Sequence, residues 1–201
     1  MVLKYTSKNE GIFILVPELD NIIEDYNPNK LFLSKITKSF TKFSWSILID
    51  KVLSENNNEP INKKRCLEIE INNDFGLIEG DADYYYYIIA IYFKDLLKEK
   101  KCYLNEIYID YNYYFALECN KEKFGIQDLK HFPNLSLVSE TFQKEFTLDY
   151  KDLFTETKYK YFFNIIFNIY IVDRWVLGKP FIRKNPMIFN NDLKTIGYYN
   201  E

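Results

Sequence analysis

The residue type best placed to do chemistry is a carboxylate. Asp74 lies in the stretch NNDFGLIEG, Asn72 to Gly80, directly after the alternating run CLEIEIN. An Asp followed by an aromatic residue and Gly76, at the end of a strand, is a carboxylate held in a tight turn. Such a turn serves either as a hairpin corner or as a catalytic loop. Hydrolysis by carboxylates takes two of them sharing one proton: one deprotonates water while the other protonates the group under attack. The lone Asp74 is half of such a pair.

Other reactive groups are sparse. The triplet Asp74-Phe75-Gly76 also matches the magnesium-binding triplet of protein kinases. That chemistry needs a Gly-rich loop, a strand Lys and an HRD loop upstream. None is present, since His131, the lone histidine, lies downstream and precedes Phe132. The three cysteines, Cys66, Cys102 and Cys119, contain no pair two residues apart, so with one His no metal centre is expected. Cys102 and Cys119 flank the strand-like run YLNEIYIDYNYYFALE, and a hairpin would bring them together. From spacing, a bridge and two buried free thiols are equally open. No Ser or Cys has a nucleophile's context, and no cofactor motif appears.

The elements that must position Asp74 read mostly as strands. Of the 201 residues, 47% are hydrophobic and 18% aromatic, enough for a sizeable core and against disorder. The abundance of Tyr, Phe and Ile favours pleated, half-buried strands. CLEIEIN alternates Leu67, Ile69 and Ile71 inward with Glu68 and Glu70 outward, and KFSWSILIDKVL alternates similarly. One helix is expected over DADYYYYIIAIYFKDLLKEKK, capped by Asp81 or Asp83, with Tyr84, Ile88, Tyr92 and Leu96 forming an apolar stripe. The remaining segments are short strands between turn signals. One mostly β domain with one main helix is the expectation.

A net charge of −3 with dispersed basic residues gives no support to a nucleic-acid partner. The apolar run Ile12 to Val16 is shorter than the roughly 7–15 residues of a signal-peptide core. The run YFFNIIFNIYIVDRW is interrupted by Asn164 and Asn168 and is shorter than the about 18 residues that cross a bilayer. Neither a targeting segment nor a membrane span is expected, so either the chain is intracellular or its start lies upstream.

The final stretch, RWVLGKPFIRKNPMIFNNDLKTIGYYN, resembles the C-terminal end of pepsin-like aspartic proteases. Trp175-Val176-Leu177-Gly178 matches a strand after a Trp, Pro180-Phe181-Ile182 a helical turn, and Met187-Ile188-Phe189 a strand. Asn190-Asn191-Asp192 matches a hairpin turn and Ile196-Gly197-Tyr198 the closing strand. Gly178, lacking a Cβ, lets another backbone pass beside it. HFPNLSLVSETFQKEFTLDYKDLF, FSWSILIDKV and DYNPNKLFLSKIT are similar to earlier family segments in the right order, and Cys119 sits where many members carry a half-cystine. Asp74-Phe75-Gly76 then falls at the second catalytic loop. The resemblance spans about residues 11–200 and implies a single C-terminal lobe of the acid protease fold, whose family hydrolyses peptide bonds with an Asp dyad. Asp74 would be the catalytic acid and Gly76 part of its loop backbone, with Val176, Leu177 and Gly178 in a structural role.

The departures bear on activity. Phe75 replaces the hydroxyl residue that bonds across to the other lobe, and Phe cannot make that bond. The next two hydroxyl positions are deleted, Lys179 stands where Asp is common, and no first lobe or second Asp-Thr-Gly triplet is found. The resemblance therefore implies a lobe impaired or inactive alone, taking a peptide or protein substrate only with an N-terminal lobe or in a homodimer, or else a non-catalytic binding module. The family works in secretory, vacuolar or lysosomal compartments.

Overall fold

The structure, a computed structural model, describes residues 2–5, 11–14, 31–35, 45–55, 59–72, 76–109 and 111–199. Asp74, Phe75 and the segment DYNPNK lie outside the described residues. In chain order the first strands are β1 (Val2–Tyr5), β2 (Gly11–Ile14), β3 (Leu31–Lys35), β4 (Trp45–Ile49), β5 (Lys51–Ser54), β6 (Leu67–Ile71) and β7 (Ile78–Gly80). Next come the helix α1 (Ala82–Ile88), a π-helical turn (Ile89–Phe93) and α2 (Lys94–Lys98), which run on as one helical stretch. The hairpin β8 (Cys102–Ile109) and β9 (Asn112–Asn120) follows, then α3 (Ile126–Lys130), β10 (Leu135–Ser139) and β11 (Lys144–Leu148). The chain closes with α4 (Tyr150–Leu153), β12 (Phe154–Glu156), β13 (Lys160–Phe167), β14 (Trp175–Leu177), α5 (Lys179–Lys184), β15 (Met187–Asn190) and β16 (Thr195–Tyr199).

Three sheets form among the described residues. The largest runs β4-β6-β14-β7-β13-β9-β8, with β12 also on β13. A second is β2-β1-β15-β16-β3, and a third β11-β10-β5. The run KFSWSILIDKVL, expected as one strand, breaks at Asp50. β4 pairs with β6 in the large sheet, whereas β5 pairs with β10 in the small one. Asp50 holds this corner, since its carboxylate accepts the Glu140 N–H at 2.7 Å.

Asp81 is the helix cap, accepting the Tyr84 N–H at 2.8 Å. The apolar stripe departs from the expected spacing. Tyr84 and Ile88 are buried, but the next buried position is Phe93 and not Tyr92. The π turn inserts one extra residue, so the inward face moves on by one. Phe93 then packs on Phe132 and Phe163, with ring centroids 5.8 and 5.6 Å apart. Tyr92 stays half-buried and donates its hydroxyl to the Asp128 carbonyl at 2.9 Å.

Spacing left the pairing of Cys102 and Cys119 open, and register decides it. The two are directly opposite in the β8–β9 hairpin, Cα atoms 3.9 Å apart, and form a disulfide with both side chains buried. Cys66 is a free, exposed thiol, and a bond to the Asp50 carboxylate pushes its pKa up.

Gly197 on β16 is set by close approach. A Cβ there would lie 2.1 Å from the Phe32 carbonyl oxygen of β3. Gly197→Ala is expected to destabilise the fold by roughly 1–3 kcal/mol, seen as a lower urea midpoint. The Cys102→Ala, Cys119→Ala double variant, which opens a loop with a sequence separation of 17, is expected to lose about 3 kcal/mol. An unchanged midpoint in either case contradicts the packing described.

Candidate functional site

The loop that carries Asp74 is framed on both sides. β6 leads into it and β7 leaves it, yet these strands are not neighbours. β14 lies between them, parallel to β6 and antiparallel to β7. β6 therefore ends, and β7 begins, on either side of the C-terminal end of β14. On the near side the Asn72 N–H donates to the Leu177 carbonyl at 3.1 Å. Gly178 follows at once, as the N-cap of α5, its carbonyl accepting from Phe181 N–H at 3.1 Å. On the far side Gly76 is exposed, and a Cβ there would meet nothing within 4 Å. Gly80 ends β7 under tighter constraint, since a Cβ would fall 2.9 Å from both Ile165 and the Phe167 ring.

Beside the loop opens an apolar pocket of about 460 Å³, on the face of the large sheet formed by β8, β9 and β13. Leu77, next to Gly76, lines it. Across the sheet, Asn105, Ala116 and Ile166 stand in register, and all three face the pocket. The concavity falls where the β13 register shifts between Phe162 and Ile166, and residues from both ends of that irregularity line it. Bulged strands bend locally, which hollows the sheet surface. The lining is mostly apolar, with Phe162 40% exposed. Asn164, which interrupted the apolar run in sequence, is buried here. It donates to the Asp152 carbonyl and accepts from the Thr155 hydroxyl, both at 2.8 Å. Its amide is thus satisfied at the pocket wall.

Two carboxylates flank β14 on one face, because Glu70 and Glu79 are both in register with Val176. Glu79 is 2% exposed, and its Oε1 lies 3.9 Å from Arg174 Nε. Burial pushes the Glu79 carboxyl above the usual carboxylate range. Arg174 opposes that shift and Glu70 adds to it. Asp81 is likewise raised by burial, against the lowering effect of the Tyr84 N–H. Sequence alternation placed Glu70 outward but gave no hint of Glu79, which sits in the short segment after the loop.

Among the residues singled out by sequence, the fold brings Gly76 and Val176 to Gly178 to one end of the large sheet. Cys102 and Cys119 hold the base of the hairpin that walls the pocket. His131 is apart from this region, exposed, with Nδ1 2.7 Å from the Gln127 carbonyl. Among the described residues no three His, Cys, Asp or Glu side chains gather as metal ligands. None of the helices described is long and apolar enough to cross a membrane. The pocket escaped sequence reading because its lining comes from segments up to 89 residues apart, Leu77 to Ile166.

No protein-family model and no curated protein sequence matches the chain. Among solved structures, the crystal structure of basic 7S globulin from soybean is similar, with a TM-score of 0.56 at 11% identity. The match covers 85% of this chain and 42% of the globulin, which belongs to the pepsin-like fold family. The fold is that of one pepsin-like lobe. It is β-rich with one main helix, and it spans less than half the globulin's length. At this identity the likeness concerns the fold alone.

Glu79 generates a pH prediction. A carboxyl whose pKa is higher in the fold than in the unfolded chain stabilises the fold while protonated, and that stability is lost as pH rises through the folded pKa. Glu79→Gln, neutral at every pH, should therefore melt above the parent at neutral pH. The gap should close as pH falls below the ordinary carboxylate range. Equal melting at neutral pH means that Arg174 fully offsets the burial.

Proposed function

We propose that the chain is a peptide-binding lobe of the aspartic endopeptidase type, carrying one acid of a hydrolytic pair and inactive toward peptide bonds on its own. The observation that carries this reading is that β6 ends and β7 begins on either side of the C-terminal end of β14, with Leu77, immediately before β7, lining an apolar pocket. An extended peptide lying over that end would seat an apolar side chain in the pocket, against Leu77 and Phe162. Its backbone would then lie over the end of the sheet where β6 ends and β7 begins. Water activation and carbonyl protonation need a second carboxylate with which Asp74 shares a proton. Glu70 and Glu79 lie beside β14, but Glu79 is buried next to Arg174 and is not open to a substrate.

A second acid supplied by another lobe or by a second copy would complete the pair. Phe75 weighs against the second copy, since it offers no hydroxyl to lock two loops together. The reading of a binding module without catalysis draws on the same residue and on the missing hydroxyl positions after Gly76.

The purified chain is assayed on denatured globin at acid pH, and short apolar peptides are titrated by fluorescence anisotropy. The expected result is peptide binding without turnover, with affinity falling about tenfold, or ~1.4 kcal/mol, on Phe162→Asp. Turnover abolished by Asp74→Ala would overturn the inactive reading and favour a dimer, checked by sedimentation. Binding indifferent to Phe162→Asp removes the pocket from the proposal.

A further inference from the structure

Two features point to one compartment chemistry. The first is the Cys102–Cys119 disulfide, buried at the base of the β8–β9 hairpin. Disulfides of this structural kind form in oxidising compartments, the lumen of the secretory route among them. The second is Asn134-Leu135-Ser136, the one Asn-x-Ser/Thr triplet in the 201 residues, with Leu and not Pro in the middle. That triplet is the acceptor for lumenal transfer of an oligosaccharide to asparagine.

Within this triplet Asn134 is half-buried and Ser136 is buried. Asn134 immediately precedes β10, whose alternation buries Leu135 and Leu137 completely on the core side. A period of two puts Asn134 and Ser136 together on the opposite face. There the Ser136 hydroxyl is 3.3 Å from the Thr147 hydroxyl. The backbone of Asn134 is held at both ends: its N–H donates to the Glu55 carboxylate at 3.4 Å and its carbonyl accepts the Glu55 N–H at 3.2 Å. Its side-chain amide has no hydrogen-bond partner among the described residues, and it is not among the buried polar atoms left unpaired. Asn134 is half-buried, so the amide reaches solvent and a substituent on Nδ2 displaces no internal bond. The β5–β10–β11 sheet that carries it is separate from the sheet that forms the pocket.

We infer that Asn134 is an N-glycosylation site, modified while the chain passes through an oxidising lumen. The donor is an oligosaccharide linked to a lipid pyrophosphate. The Asn134 Nδ2–C1 bond forms, the C1–O bond to the pyrophosphate breaks, the lipid pyrophosphate leaves, and the amide gives up one proton. No oxidant or reductant takes part, and the inference is independent of any peptidase activity.

The full chain is expressed behind a secretion leader in a eukaryotic cell, and both the secreted and the lumenal cell-associated pools are analysed. One glycan is expected, seen as a mobility shift that peptide N-glycosidase removes, leaving Asp at position 134 by mass spectrometry. Asn134→Gln and Ser136→Ala are each expected to abolish the shift, with the Cys102–Cys119 bridge still formed. Ser136→Thr is expected to keep it. An unmodified Asn134 in both pools, in chains whose bridge has formed, overturns the inference, as does a shift that survives Asn134→Gln.

Discussion

The insertion of β14 between β6 and β7 is the constraint on which the rest depends. A strand flanked on both sides, with Trp175, Val176 and Leu177 all buried, has no solvent edge and no freedom of register. It is locked by parallel pairing to β6 and antiparallel pairing to β7. The two strands that bracket Asp74 in sequence are held apart by a third and do not pair as a hairpin.

Packing around that strand is aromatic. Tyr84 of α1 lies against Trp175, ring centroids 5.5 Å apart, and Phe167 of β13 lies 6.1 Å from Tyr84. Large rings bury much area per residue and favour tilted or edge contacts, which suits a small domain with a wide sheet. The helical stretch reaches its second contact region only through the π turn, which swings Phe93 into the Phe132–Phe163 cluster. Tyr198, on the closing strand, ties the second sheet to the third by donating to the Phe142 carbonyl at 3.1 Å, while Lys144 sits 4.0 Å from its ring centroid.

The buried polar groups differ in how they are partnered. Asn164 and Asp81 are buried because each has a partner that its backbone position supplies, the Asp152 carbonyl in one case and the Tyr84 N–H in the other. Glu79, by contrast, is buried at a cost. Its neighbour Arg174 is 3.9 Å away, too far for a hydrogen bond and near enough only for a Coulombic effect. Burial holds this carboxyl above the usual carboxylate range, in the strand that follows the candidate loop.

Several features were legible in the sequence because they are local. Alternation in CLEIEIN marked β6, the pair Asp81 and Asp83 marked the helix start, and Asn190 to Asp192 marked a hairpin in which the Asn190 side chain accepts two backbone N–H groups. The order of short segments around Trp175 and Gly178 was enough to suggest a pepsin-like lobe. What tertiary structure alone decided is non-local. The break at Asp50 arises from two different sheets competing for one run of strand-forming residues. The Cys102–Cys119 bridge needed a register, and the pocket needed an irregularity in β13 facing a hairpin more than forty positions earlier in the chain. Local pattern encodes which residues turn inward, whereas the site is made by which inward and outward faces meet, and that is settled by chain crossing and burial together.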